Sequence, residues 1–258
     1  MLLWLADVAR ETGYPVDEVD GWKTRGADTM NTPSGALDHH TAGAATGDMP
    51  SLYVLLNGNS TTPPPLSHYG IGRSGTIYVV AAGKCNHAGL GSWPGIGSSA
   101  DLIGIENEHT GKTTDPWPEA QLDAKRHLVA AIAHHLGKTK VGDVTDADTF
   151  LLLGHKEYAA NPPGWPGRKI DPITLDMDDE RALMDAMMQE DDMTVEELTT
   201  VLGEVIPGLV AAELAKTYAK GTDGTSQHSR DTLQHKGILP DKLQRMLIAI
   251  HDAVVVTE

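Results

Sequence analysis

LSHYGIGRSGTIYVVAA, residues 66–82, sets two apolar runs, LSHYGIG (66–72) and TIYVVAA (76–82), on either side of Arg73-Ser74-Gly75. Apolar runs joined by a short glycine-containing turn read as a β-hairpin. Upstream, LDHHTAG (37–43) is a short strand-like run that breaks at Gly43, and a short helical stretch around residues 52–56 precedes the break TTPPP. Downstream, DLIGIENE (101–108) is another strand, alternating in its second half. From Pro118 to Leu136 the apolar positions Leu122, Val129, Ile132, Ala133 and Leu136 recur at three- and four-residue steps; Pro118 opens this helix and Gly137 closes it. Phe150 to Leu153 is a short buried strand that runs into Gly154-His155. At the start, Leu2 to Arg10 reads as a short amphipathic helix ended by Gly13, followed by a loop rich in Gly, Thr, Asn and Pro. Strands and helices interleave as far as Pro172, which predicts an α/β fold with a central mixed β-sheet flanked by helices.

Beyond Pro172 the character changes. From Ile173 to the end there are seventeen acidic and seven basic residues, so this last third carries −10 of the formal net charge of −16. Residues 176–192 hold eight acids against one base, Arg181, with apolar positions at helical spacing. Thr194-Val-Glu-Glu197 forms a capping box, Pro207 interrupts the helix it opens, and Pro240 starts a last helix with Leu243, Met246, Leu247, Ile250 and Val254 on one face. The expected organisation is a main domain over residues 1–175, with residues 1–30 as its N-terminal helix and loop. An acidic helical connector (176–192) and a small all-α region (193–258) follow, the latter suited to packing or self-association.

Composition narrows the function. With net charge −16, the chain lacks the basic surface that nucleic acid or anionic lipid requires. A single cysteine, Cys85, excludes an intramolecular disulfide and fits a reducing cytosol. No signal-peptide pattern or membrane-length apolar run is present.

Of the twelve histidines, most need no special role as solvated or packed side chains, and HExxH is absent. Three places stand apart: His39-His40 in a strand, Gly154-His155 at a strand end, and Arg168-Lys169-Ile170-Asp171-Pro172 in a loop. A catalytic zinc takes three N/O/S ligands and keeps a fourth position open, and two imidazoles with one carboxylate satisfy that. Successive side chains on a strand face opposite ways, so only one of His39 and His40 enters such a site.

LDHHTAG, HYGIGRSGTIYVVAAGKCNHAG, IGIENE, LLGHKE and GRKIDP occur in the order and rough spacing of the type-2 amidase and peptidoglycan-recognition-protein superfamily. Residues 1–175, with GWKTRG near the start, most resemble the amidase domains of endolysins from bacteriophages of actinobacteria. The resemblance implies Zn2+ bound by His39, His155 and Asp171. It implies Glu106 as the carboxylate that activates water, Lys169 as stabiliser of the oxyanion, and His87, with His68 and Asn86, on the substrate cleft. His40 then faces away. One departure stands out: many members carry Tyr where this chain has Ser67, which shifts the base role towards Glu106.

The implied activity is hydrolysis of the bond between the N-acetylmuramoyl lactyl group and L-alanine in peptidoglycan, for host lysis. With no leader, release through a holin-type pore is expected. The alternatives are a non-catalytic peptidoglycan-binding module, in which the third ligand is typically lost, and an intracellular amidase that recycles muropeptides. A zinc peptidase is a more distant reading.

Overall fold

The computed structural model describes residues 1–161 and 166–191. The capping box at Thr194–Glu197 and the helices expected beyond it lie outside the described residues. Residues 1–188 form one compact unit.

Its frame is a seven-stranded mixed sheet. In chain order the strands are β1 (Val16–Glu18), β2 (Gly35–His40), β3 (Tyr69–Ile71), β4 (Ile77–Val79), β5 (Leu102–Asn107), β6 (Lys140–Gly142) and β7 (Thr149–Gly154). They lie side by side as β1-β4-β3-β5-β2-β7-β6. Only the β3–β4 hairpin is antiparallel; every other neighbouring pair is parallel. The two strands that the sequence pattern does not announce, β1 and β6, are the edges of the sheet; neither lies in an extended apolar run like those around β3 and β4, which are equally three residues long.

The helices are α1 (Leu5–Glu11), α2 (Leu52–Asn57), α3 (Glu119–His135), α4 (His155–Ala160) and α5 (Met177–Asp191). The α3 helix stops at Gly137, whose φ of 68° is the left-handed conformation that glycine adopts without a Cβ penalty. The first helix starts three residues later than the pattern of Leu2–Arg10 suggests, and Leu2 instead donates its N–H to Ala82 O.

The central strands are buried throughout, as a parallel sheet covered on both faces requires. Alternation then sorts their side chains. Ala36, Ile103, Ile105, Phe150 and Leu152 join Leu5, Val8, Leu128, Ile132 and Met184 in the main core. Leu37, Leu102, Leu151 and Leu153 join Ala88 and Tyr158 of α4 on the other side. Among the described residues no helix is long and apolar enough to cross a membrane.

The boundary expected after residue 175 falls inside the compact unit. Met177, the neighbours Glu180 and Arg181, Met184 and Met188, spaced as one face of a helix, are all buried, so the acidic helix has one face in the core. Its two buried charges are paired. Glu180 accepts from Lys125 Nζ at 3.0 Å and from the Arg126 guanidinium. The Arg181 guanidinium meets both Glu157 carboxylate oxygens at 3.0 Å and the Leu152 carbonyl at 3.0 Å. Glu157 also caps α4 by accepting from Gly154 N–H at 2.8 Å. Through this clamp α5 fixes the turn from which His155 projects.

Candidate metal and catalytic site

Strands β2, β5 and β7 run parallel and end at the same edge of the sheet, where open α/β sheets bind ligands. In this register His39 lies directly opposite Glu106. Both follow the alternation that sends Leu37 and Leu102 to the α4 side, so they share one face. Asp38, one residue earlier, points the other way, to Lys125 Nζ at 2.9 Å. His155 is the first residue of α4, one step past the strand end where the sequence pattern placed it, and Asp171 comes from the loop ahead of α5.

These elements bring three side-chain atoms together. His39 Nδ1 lies 3.0 Å from His155 Nδ1 and 3.1 Å from Asp171 Oδ2, and His155 Nδ1 lies 2.9 Å from the same carboxylate oxygen. Among the described residues, His39, His155 and Asp171 are the group of this kind able to hold a metal ion, and all three are buried. Tetrahedral zinc with N and O ligands at 2.0–2.2 Å sets its ligand atoms about 3.3 Å apart. The observed separations are near that value.

The donor set also fits a cation. His155 Nε2 is 3.0 Å from the Ala88 carbonyl, which only accepts, so this nitrogen carries a proton and Nδ1 is the atom turned to the metal position. Burial, partly offset by the Asp171 carboxylate, pushes His39 down to about 4 and keeps it neutral.

The cleft beside this triad is lined by Glu106, Lys169, Asn86, His87, Thr41 and Val54, among others. Glu106 Oε2 is buried with no hydrogen-bond partner among the described residues. Burial raises its pKa well above the usual carboxyl value; Asp171 adds to the shift and Lys169 opposes it. An unpartnered carboxyl next to a metal-ligand set, poised to carry a proton, is what general acid–base work needs.

Of the cleft residues expected from the sequence, Asn86 lies on the lining, where its Nδ2 donates to Pro63 O at 3.0 Å and ties down the proline-rich turn. His87 is also on the lining, with Nδ1 3.2 Å from His39 Nε2. His68 is a correction. It is fully buried immediately ahead of β3, where its Nδ1 accepts from Gly104 N–H at 2.9 Å. Ser67 is fully buried too, so that position sends no hydroxyl into the cleft. His40 turns away from the triad, as expected, and its Nδ1 accepts from Ile173 N–H at 3.0 Å, anchoring the loop that carries Asp171.

Burial of His68 has a measurable consequence, because it pushes the imidazole down to about 3. In the unfolded chain the same group titrates near 6.5. The unfolded state therefore binds the proton first. This contribution to stability is whole above about pH 6.5 and is lost progressively as pH falls towards about 3, up to roughly 5 kcal/mol. In His68→Asn, which keeps an acceptor for Gly104, the metal-free protein is expected to show a flatter fall of urea midpoint between pH 6.5 and 4 than wild type. Equal slopes would remove His68 from the acid response.

Comparison with known proteins adds the following. The profile of the N-acetylmuramoyl-L-alanine amidase family matches residues 29–174. Among solved structures, a selenomethionine derivative of AmpD is 24% identical with a TM-score of 0.45, covering 64% of this chain and 94% of that one. The endolysin N-acetylmuramoyl-L-alanine amidase LysCS from Clostridium intestinale is 21% identical with a TM-score of 0.38, covering 55% of this chain and 82% of that one. The Staphylococcus aureus hydrolase AmiA, solved with its ligand, is 14% identical with a TM-score of 0.47, covering 70% and 88%. No curated protein sequence matches the chain.

Proposed function

The chain belongs to the N-acetylmuramoyl-L-alanine amidase family, and on that premise we propose that it is a zinc-dependent hydrolase of the bond between the muramoyl lactyl group and L-alanine in peptidoglycan. The observation that carries the metal-dependent part is the meeting of His39 Nδ1, His155 Nδ1 and Asp171 Oδ2 within 3.1 Å beside the unpartnered Glu106 carboxyl. A zinc ion held there supplies acidification of water to a pKa of about 7 and polarisation of the scissile carbonyl.

The chain's own residues do the rest. Glu106, opposite His39 in the strand register, takes the proton that the attacking water gives up and returns it to the leaving amine. Lys169 lines the same cleft and brings positive charge to the oxyanion that develops when the amide carbon becomes tetrahedral. Asp171 supplies the carboxylate oxygen and His39 and His155 the imidazole nitrogens of the ligand set. The endolysin role, lysis of the host from within, extends this reading and rests on the resemblance of the five sequence motifs.

Asp171→Ala tests the metal-dependent part. The variant is expected to lose bound zinc and to release stem peptides from peptidoglycan at background rate, while zinc-free wild type recovers activity on adding zinc. Full activity of wild type after the zinc has been stripped, with its absence verified by elemental analysis, would sink the zinc mechanism. Binding to peptidoglycan without hydrolysis in zinc-loaded wild type would favour a recognition module.

A further inference from the structure

The two imidazoles of the triad are oriented in different ways. His155 has a backbone carbonyl, Ala88 O, behind its Nε2 at 3.0 Å. Behind Nε2 of His39 stands another imidazole, His87 Nδ1 at 3.2 Å, and behind His87 Nε2 stands the Leu102 carbonyl at 3.3 Å. A carbonyl oxygen only accepts, so His87 Nε2 must carry a proton. No carboxylate makes an ion pair with His87 among the described residues, and the ring is 8% exposed, so it is neutral and its Nδ1 is bare. A bare Nδ1 accepts the N–H of His39 Nε2. That leaves His39 with its lone pair on Nδ1, the atom facing Asp171 and His155.

We propose that His87 is a positioning residue for metal binding: through the relay Leu102 carbonyl, His87, His39 it fixes the tautomer and ring angle of His39. The inference rests on the zinc reading of the triad given above.

The fold is shaped around this ring. A Cβ on residue 104 would come within 2.7 Å of His87 Cγ, so the glycine of IGIE leaves the space in which His87 lies against β5. His68 packs edge-on against His87 from the other side, with centroids 5.7 Å apart, and is itself held by Gly104 N–H. His87 in turn meets the His39 ring edge-on at 5.4 Å. Enclosed in this way, His87 has one place to put its Nδ1, and partners of this kind typically alter metal affinity by about 10- to 100-fold when removed.

Two substitutions in the full-length protein separate the acceptor from the ring. His87→Phe keeps an aromatic ring and has no acceptor. His87→Asn loses the ring but carries Oδ1 at the branch occupied by Nδ1, able to accept from His39. The readout is zinc affinity of the metal-free protein, measured by competition with a chromophoric chelator, alongside the melting temperature of the same metal-free samples. The phenylalanine variant is expected to bind zinc about 10- to 100-fold more weakly than wild type. The asparagine variant should stay within a few-fold of wild type. Should the phenylalanine ring not be accommodated, His87→Ala, which also lacks the acceptor, takes its place. Equal affinities of wild type and the acceptor-less variant would overturn the relay, as would a loss in the asparagine variant as large as in the acceptor-less one. Failure of wild type itself to bind zinc would overturn the metal reading instead, so the two failures are distinguishable.

Discussion

Glu106→Gln is expected to lower the turnover of peptidoglycan hydrolysis by about two to four orders of magnitude, the range that a positioned acid–base group contributes. The carboxamide occupies the same volume and leaves the β2–β5 pairing of His39 with Glu106 intact, so bound zinc should be unchanged. Two features make the loss large. Glu106 Oε2 has no other hydrogen-bond duty among the described residues, so the carboxyl is not tied up as a structural partner. The position that holds tyrosine in many relatives carries Ser67, fully buried, so no hydroxyl from that site stands in for the missing carboxyl. Turnover and zinc content measured on the same preparation check this. A loss under about tenfold would show that the proton travels by another group.

Lys125→Met is expected to destabilise the fold by about 3–5 kcal/mol, the cost of breaking a buried ion pair from one side. The Lys125 side chain is fully buried, with Nζ 2.9 Å from Asp38 and 3.0 Å from Glu180. Removing it leaves Asp38, also fully buried, with Asn107 Nδ2 at 2.6 Å as its side-chain partner. Arg126 still serves Glu180, so the damage centres on Asp38. A lowering of the melting temperature by about 6–20 °C is the corresponding thermal result. The double substitution Lys125→Met with Asp38→Leu should recover part of the loss, because no charge is then left unpaired. A single-variant effect below about 1 kcal/mol would mean that water or a moved side chain satisfies Asp38.

The network also explains why α5 was hard to place from sequence. Eight acids against one base over residues 176–192 read as an acidic helical connector outside the main domain, because a charge count averages around the helix. Burial follows a stripe, and Met177, Met184 and Met188 lie on it with Glu180 and Arg181 between them. The partners that make those two charges tolerable, Lys125 and Glu157, are distant in sequence and carry no local signature. The hairpin, β5, α3 and β7 were legible because their periodicity runs over several residues and Gly or Pro marks their ends. Strands β1 and β6 lie in no such run, whereas β3 and β4, equally three residues long, sit inside the apolar runs 66–72 and 76–82.

The site shows a similar division. Spacing singled out His39-His40, His155 and the Asp171 loop but left open which histidine of the pair turns inwards. The register settles it, since His39 shares a face with Glu106 and His40 instead holds Ile173 N–H. His87 and His68 were both expected on the cleft; His87 is on its lining, while His68 is fully buried. His87 has its place against β5 because residue 104 has no Cβ.

The central claim is that this chain cuts a particular amide in peptidoglycan, and one digestion tests it most directly. Purified protein is incubated with actinobacterial peptidoglycan, with zinc and with chelator, and the newly formed ends are identified by mass spectrometry. The account predicts free stem peptides beginning with L-alanine and intact muramoyl lactyl carboxylates, formed with zinc and absent with chelator. Binding to the wall without new amine ends, or new ends within the stem peptide or the glycan, would contradict it.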